Sequence, residues 1–140
     1  MRLRPVAIVS FLVAALASAI AWSHLPDTVP VHWNVYGEPD RWGSKWELLL
    51  AGPGLLLLLW GVFELTALVD PRRPKLRHGA REKLYAVVLA MFSLIYLAVL
   101  AQITGLVASG AGLAVVLVGL LLALVGNWMG KLRPNWFAGI

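Results

Sequence analysis

LYAVVLAMFSLIYLAVLAQITGLV, residues 84–107, contains no charged side chain and is long enough for a helix to cross a lipid bilayer. At about 1.5 Å per residue, roughly 20 apolar residues span a hydrocarbon layer of about 30 Å. Three more apolar runs lie at about 6–22, at 45–69, and from 113 to about 126. The pattern predicts an all-α integral membrane protein, a helical bundle of about four transmembrane helices.

The composition favours lipid over water as the surrounding medium. Apolar residues make up 60% of the 140 residues, mean hydropathy is +0.79, and charged residues make up 14%. The net charge of +5 comes from basic residues that flank the apolar runs, so we expect no direct nucleic-acid binding. The absence of cysteine excludes disulfides, thiolate metal sites and cysteine nucleophiles.

The chain divides into two parts. We expect residues 1–69 to form an N-terminal transmembrane hairpin whose two helices are joined by an extracytoplasmic loop, residues 23–47. We expect residues 70–140 to contain a basic inner loop, two further transmembrane helices and a tail. The loop at 23–47 is too polar to lie exposed in lipid, which places it outside the bilayer.

Local signals set the expected helix boundaries. Ser44 and Glu47 have the spacing of a capping box, which predicts that the second helix begins near Lys45. Asp70-Pro71 should end it, because proline disfavours helical geometry in the residue before it. The third helix is expected to run to about residue 107, before a turn of small residues at 108–112.

The basic residues predict the orientation. Only Arg41 and Lys45, two of the twelve Lys and Arg residues, fall in the loop at 23–47. Because positive residues are held back from translocation, both termini and the basic loop are expected in the cytoplasm, in the cell inner membrane.

The first apolar run has a rival interpretation as a cleaved signal peptide. Arg2 and Arg4 precede it, and the small residues from Ala15 to Ala19 offer cleavage sites. Apolar character continues past those sites to Trp22, an aromatic residue suited to the headgroup level, which favours a retained anchor.

The loop at 23–47 holds most of the side chains capable of recognition. Residues 29–36 alternate and are rich in β-branched and aromatic side chains, which predicts an extended segment closed by a turn at 37–40. His32 and Asn34 should share one face of that segment. The opposite face should carry Val31, Trp33 and Val35.

Five residues of this loop are the candidates for binding a toxin or another partner: His32, Asn34, Gly37, Asp40 and Trp42. The alternative is that the polar groups hydrogen-bond one another and fold the loop as a lid over the helix ends. One outer histidine near scattered carboxylates does not define a metal site, and no common hydrolase or nucleotide-binding motif occurs. We therefore expect no catalytic residue, no metal and no cofactor.

Glu64 and Gln102 are the candidate intramembrane polar residues. A carboxylate at the depth of Glu64 requires compensation, or else serves ion or proton movement. The expected partners are Arg81, Lys83 and Asn127. Gln102, with Thr104 beside it, is expected to supply hydrogen bonds between helices.

Two segments resemble the SdpI-type bacterial immunity membrane proteins. LPDTVPVHWNVYGEPDRWGSK, residues 25–45, is similar to the signature of the uncharacterised domain that opens those proteins. GNWMGKLRPNWFAGI, residues 126–140, is similar to the start of the SdpI module. Members continue with further helices past this point, so the resemblance implies a truncated module.

The resemblance implies a non-enzymatic protein that protects the producing cell from a secreted, membrane-active peptide toxin. Relatives also hold a cognate repressor at the membrane, so the implied partners are the lipid bilayer, a peptide toxin and a cytoplasmic repressor. The tail residues for such a contact would be Asn127, Lys131, Pro134 and Asn135. The alternatives are a small transport or channel accessory using Glu64, and an inactive structural fragment of a longer immunity protein.

Overall fold

The structure, a computed structural model, describes residues 3–69, 78–108 and 110–129. Five α-helices, one π-helical turn and one two-stranded hairpin make up most of these residues, and the predicted all-α membrane bundle is confirmed. The elements are α1 (Leu3–Ala21), a short 3₁₀ turn (Trp22–His24), β1 (Thr28–Trp33), β2 (Pro39–Ser44), α2 (Lys45–Leu49), the π turn (Leu50–Gly54), α3 (Leu55–Val69), α4 (His78–Ile103) and α5 (Gly110–Met129).

Three helical segments among the described residues are long and apolar enough to cross a bilayer: Arg4–His24, Lys45–Thr66 and Glu82–Ile103. A shorter apolar helix covers Gly112–Trp128. The chain is a multi-pass membrane protein. We call the end of the bundle that carries β1 and β2 the hairpin end.

The second span is continuous from Lys45 to Val69, as its sequence predicts, but it is not a uniform α-helix. Pro53 lies inside the π turn. Proline has no amide hydrogen to donate, so a hydrogen bond of the regular ladder is missing there and the helix widens by one residue. The turn brings Gly52 and Pro53 into the buried part of the bundle.

The third span ends earlier than predicted. Helix α4 stops at Ile103 rather than near residue 107, because Gly105 adopts a φ of 74°. Its amide bonds the carbonyl of Gln102 at 3.0 Å, and the Leu106 amide bonds that of Ala101 at 2.8 Å. These two bonds form a Schellman motif, which closes the helix end with a left-handed glycine.

Small residues form the face of α1 that packs on α4. They are buried and recur every three or four positions: Ala7, Ser10, Ala14, Ser18 and Ala21. Such residues let two helix backbones approach closely in lipid. Hydroxyl groups cross the same contact, since Ser93 donates to the carbonyl of Ser10 at 3.2 Å. This buried face favours α1 as a retained anchor.

Tyr96 on α4 joins α1 and the π turn. Its hydroxyl lies 2.6 Å from the Ser18 hydroxyl, which also donates to the carbonyl of Ala14 at 2.7 Å. Its ring lies so close to Gly52 that a Cβ there would overlap it. Further along α4, Tyr85 stacks on Phe63 of α3 with ring centres 4.1 Å apart.

We predict opposite effects of adding a methyl group at two glycines of the second span. Gly52→Ala should lower the stability of the detergent-solubilised protein by about 1–3 kcal/mol, because the new Cβ forces the Tyr96 ring aside. Gly61→Ala should leave it unchanged or raise it slightly, since no atom lies within 4 Å of the new Cβ. Thermal denaturation measures both; equal effects would contradict the packing described here.

Candidate functional site

The tip of the hairpin is organised by the side chain of Asn34. Its Oδ1 accepts hydrogen bonds from the amides of Tyr36 at 2.9 Å and Glu38 at 3.0 Å, and its Nδ2 donates to the Glu38 carboxylate at 3.2 Å. Gly37 has a φ of 80°, a conformation that favours glycine. Asn34 and Gly37, both predicted recognition residues, therefore build the turn.

The chain reverses earlier than the sequence predicts. The turn occupies residues 34–38 rather than 37–40, and Pro39 already begins a second strand that was not predicted. Asn34 causes the shift, because its side chain satisfies two amides that would otherwise lack partners. Val35, expected on the apolar face, lies in the turn and is 93% exposed.

His32 and Asp40 face each other across the two strands. The Nδ1 of His32 lies 2.6 Å from Oδ1 of Asp40, and both side chains are partly exposed. The strand register is irregular on both sides of His32, which interrupts the simple alternation expected for β1. Val31 and Trp33 are half-buried while His32 is exposed, as predicted for opposite faces.

A second polar cluster fixes the base of the hairpin to α2. Glu47 accepts from the Ser44 amide at 3.2 Å and from Arg41 at 3.0 Å, which provides the glutamate half of the predicted capping box. Gly43 leaves the space that the Glu47 carboxylate occupies, since a Cβ at this position would overlap it. Val29 of β1 is fully buried and belongs to the same core as Leu48 of α2.

A cavity of about 610 Å³ lies between β1 with its turn and the hairpin ends of α4 and α5. One wall carries polar and aromatic groups, including the predicted residues His32, Asn34 and Gly37. The other wall is apolar and consists of Val99, Gly112, Ala114, Val115 and Val118. Nothing in the sequence identifies this second wall, because its residues look like those of any lipid-facing helix and lie far along the chain from β1.

Trp33 is the unusual side chain of this cavity. Its indole Nε1 is buried and has no hydrogen-bond partner, the sole side-chain nitrogen or oxygen in that condition within residues 3–69, 78–108 and 110–129. Leaving a buried N–H unpaired costs about 1–3 kcal/mol. Because this nitrogen is itself inaccessible, a ligand in the cavity can accept from it only after the Trp33 ring turns.

The remaining predicted loop residue, Trp42, is more than half exposed on β2. His32, Asn34 and Gly37 line one cavity, Asp40 bonds His32 beside it, and Trp42 does not line it. The mutual hydrogen bonds of the loop agree with its alternative interpretation as a folded cover over the helix ends. They leave recognition by these residues a prediction.

Glu64 is compensated by Arg4, which is not among its expected partners. Its carboxylate accepts from the Nε of Arg4 at 3.1 Å and from the indole of Trp60 at 3.2 Å. Helix α1 begins at Leu3 rather than near Val6, so Arg4 belongs to the helix and reaches α3. The expected partner Arg81 has no described side chain, and Lys83 lies near the ring of Trp128 at 6.0 Å.

The other polar candidates lie at helix ends. Gln102 is in the last turn of α4, where its carbonyl accepts the Gly105 amide. The Thr104 hydroxyl bonds the carbonyls of Leu100 and Ala101 in α4, the helix that it directly follows, rather than another helix as expected. Asn127 lies near the end of α5. The predicted tail residues Lys131, Pro134 and Asn135 lie outside the described residues, as do residues 70–77 of the basic loop.

Within the part of the chain that the structure describes, no three His, Asp or Glu side chains lie close enough to hold a metal ion. The two acidic residues of the hairpin, Glu38 and Asp40, instead bond Asn34 and His32. The site is thus an apolar cavity with a hydrogen-bonded polar rim, a geometry suited to binding.

Comparison with known proteins places the hairpin in a recognised domain. Residues 9–57 match the family described as a domain of unknown function, DUF1648. An uncharacterized protein of Archaeoglobus fulgidus is 41% identical over 46 residues, 29% of this chain and 25% of that protein. The chain thus matches about a quarter of the length of this curated relative, and no solved structure matches it. The prediction that an uncharacterised domain opens the chain is confirmed over these residues.

We predict that Asn34→Ala opens the turn without unfolding the bundle. The amides of Tyr36 and Glu38 lose their acceptor, so their hydrogen exchange should accelerate by roughly tenfold, equivalent to about 1.4 kcal/mol. Val35→Ala is the matched control, because that side chain is 93% exposed and should leave the same amides protected. Unchanged exchange in Asn34→Ala would contradict the role assigned to this side chain.

Proposed function

We propose that this chain is a non-enzymatic bacterial membrane protein that gives immunity to a secreted, membrane-active peptide toxin, which it binds in the cavity beneath the hairpin. The proposal joins the resemblance of residues 25–45 to SdpI-type proteins with the geometry of that cavity. The single observation that carries it is the cavity itself, in which an apolar wall faces a wall with hydrogen-bonded polar groups.

The chemistry of the cavity suits a peptide that enters from the bilayer. A membrane-active peptide has apolar side chains that match Val99, Val115 and Val118, and backbone carbonyls that accept from Trp33 once its ring turns toward the cavity. His32 and Asp40 form the polar rim where the chain would leave lipid for water. Their bond fixes the rim before the peptide arrives, which lowers the ordering cost of binding.

The orientation is part of the proposal. The chain lies in the cell inner membrane with both termini in the cytoplasm and the hairpin outside, where a secreted toxin arrives. The distribution of Lys and Arg supports this, since Arg41 and Lys45 are the two basic residues in the hairpin region. The basic loop and the tail residues would then face a cytoplasmic repressor, whose sequestration is the signalling part of the proposal.

Reporter fusions test the orientation. Alkaline phosphatase inserted after Tyr36 should be active, because the enzyme folds only outside the cytoplasm, and the same insertion within residues 70–77 should be inactive. A cytoplasmic reporter such as a fluorescent protein should give the reverse pattern. An inactive phosphatase at Tyr36 with equal protein amounts would overturn both the orientation and the sensing role of the hairpin.

Cell survival tests the function. Toxin-sensitive bacteria that express the chain should survive concentrations of the SdpI-class peptide toxin that kill control cells. At these concentrations they should also keep their membrane potential. Trp33→Phe removes the donor and keeps a ring, so the highest toxin concentration that the cells survive should fall several-fold. A loss of about 1.4 kcal/mol of binding free energy corresponds to a tenfold weaker affinity. His32→Ala and Asp40→Ala should abolish protection with membrane insertion intact.

A pair of neighbouring substitutions separates cavity binding from general damage to α5. Val115→Trp places a large ring in the cavity and should abolish protection, whereas Val116→Trp should not, because Val116 does not line it. Glu64→Gln should also keep protection, and a loss of ion flux in that variant would instead support a transport accessory. Equal protection by Val115→Trp, Trp33→Phe and the unaltered chain would reject the cavity as the binding site.

A further inference from the structure

A second apolar groove, distinct from the cavity beneath the hairpin, runs between α1 and the helix that starts at Lys45. Its volume is about 510 Å³. The wall on the α1 side extends from Trp22 to Ala15, about 10 Å at 1.5 Å per residue. The facing wall consists of Trp46, Leu49 and Pro53. The groove follows helices that span the membrane, which is also the direction of a lipid acyl chain.

An ion pair lies beside the end of the groove that is nearest to the hairpin. The ammonium group of Lys45 is 2.9 Å from Oδ1 of Asp27 and 4.9 Å from the ring centre of Trp22, which lines the groove. The rings of Trp22 and Trp46 are 4.7 Å apart in an edge-to-face arrangement. Tryptophan rings prefer the headgroup level of a bilayer, so the ion pair lies where a phospholipid carries its charges.

Both members of this pair have unused capacity. The Lys45 side chain is 23% exposed and its ammonium group carries three N–H donors, of which Asp27 takes one. The Asp27 side chain is 94% exposed, and a carboxylate offers about four acceptor positions. A partner with one negative and one positive charge a few bonds apart can therefore bind both groups at once.

We propose that this groove is a binding site for an aminophospholipid with a phosphoethanolamine headgroup. The acyl chain occupies the groove, the phosphate accepts hydrogen bonds from Lys45, and the primary ammonium of the headgroup donates to Asp27. Charge-assisted hydrogen bonds of this kind are about twice as strong as neutral ones.

Other common phospholipids match the site less well. Phosphatidylcholine has the same charges, but its trimethylammonium group has no N–H to donate to Asp27. Phosphatidylglycerol has the phosphate and no positive charge, so Asp27 repels it. The proposal therefore predicts selectivity for one headgroup, not general affinity for lipid.

Native mass spectrometry of the purified full chain tests this. The delipidated protein is titrated with phosphatidylethanolamine, phosphatidylcholine and phosphatidylglycerol that have identical acyl chains. We expect phosphatidylethanolamine to bind about tenfold more tightly than either other lipid, the effect of one charge-assisted hydrogen bond. Equal binding of the three, or tighter binding of phosphatidylglycerol, would overturn the proposal without any variant.

Variants then assign the contacts. Asp27→Asn should remove the preference for phosphatidylethanolamine over phosphatidylcholine, whereas Lys45→Gln should weaken both. Glu38→Gln and Arg41→Gln are the matched charge controls at the same end of the bundle, and they should keep the wild-type selectivity because neither residue adjoins the groove. Selectivity that survives in Asp27→Asn would refute the role of that carboxylate.

Filling the groove tests the acyl-chain contact separately. Ala19 lines the groove and is exposed, so Ala19→Leu should occupy it with little effect on folding and weaken binding of all three lipids. Val13→Leu adds bulk at an exposed position of α1 that does not line the groove and should bind lipid like the unaltered chain. Equal lipid binding by these two variants would exclude the groove as the site.

Discussion

The contacts of Tyr96 tie three segments of the chain together inside the membrane, and the rest of the bundle depends on them. Its hydroxyl bonds Ser18 of α1, while its ring packs against Gly52 in the π turn. In lipid there is little hydrophobic gain when one apolar helix packs on another, so close packing and hydrogen bonds must hold the helices together. The small residues of α1 allow the close packing, and the serine and tyrosine hydroxyl groups form the hydrogen bonds.

Different interactions stabilise the hairpin, because it lies beyond the membrane-spanning segments. Short-range polar contacts hold it together. Asn34 closes its tip, His32 and Asp40 join its strands, and Glu47 fixes its base to the start of α2. Val29 connects it to the buried core of the bundle. Most of its polar side chains are occupied by one another, and the buried, unpaired N–H of Trp33 is the exception.

The cavity beneath the hairpin and the groove beside Trp22 share no lining residue. Both occur at the hairpin end of the bundle, and each combines an apolar space with polar groups beside it. The domain match at residues 9–57 includes the whole groove lining and the hairpin wall of the cavity, but none of the α4 and α5 residues that form the other wall. The groove thus belongs to the matched domain, while the cavity needs the second half of the chain.

The sequence by itself determined the class of fold, the second span from Lys45 to Val69, and the extended segment that became β1. These features depend on the order of neighbouring residues: uninterrupted apolar runs, a glutamate three positions after a serine, and an alternating stretch of β-branched side chains. The turn was predicted at 37–40 instead of 34–38 and β2 was missed, because Asn34 bonds amides that no periodic pattern reveals.

Only the tertiary structure decided which distant residues meet. It paired Glu64 with Arg4 across 60 positions, placed the Tyr96 ring against Gly52, and opposed β1 to the valines of α5. The physical reason is that every lipid-facing stretch of a membrane helix has nearly the same composition, so the sequence shows that helices form but not which faces pack. Small residues and single polar groups select those faces, and their partners are known only when the helices are assembled.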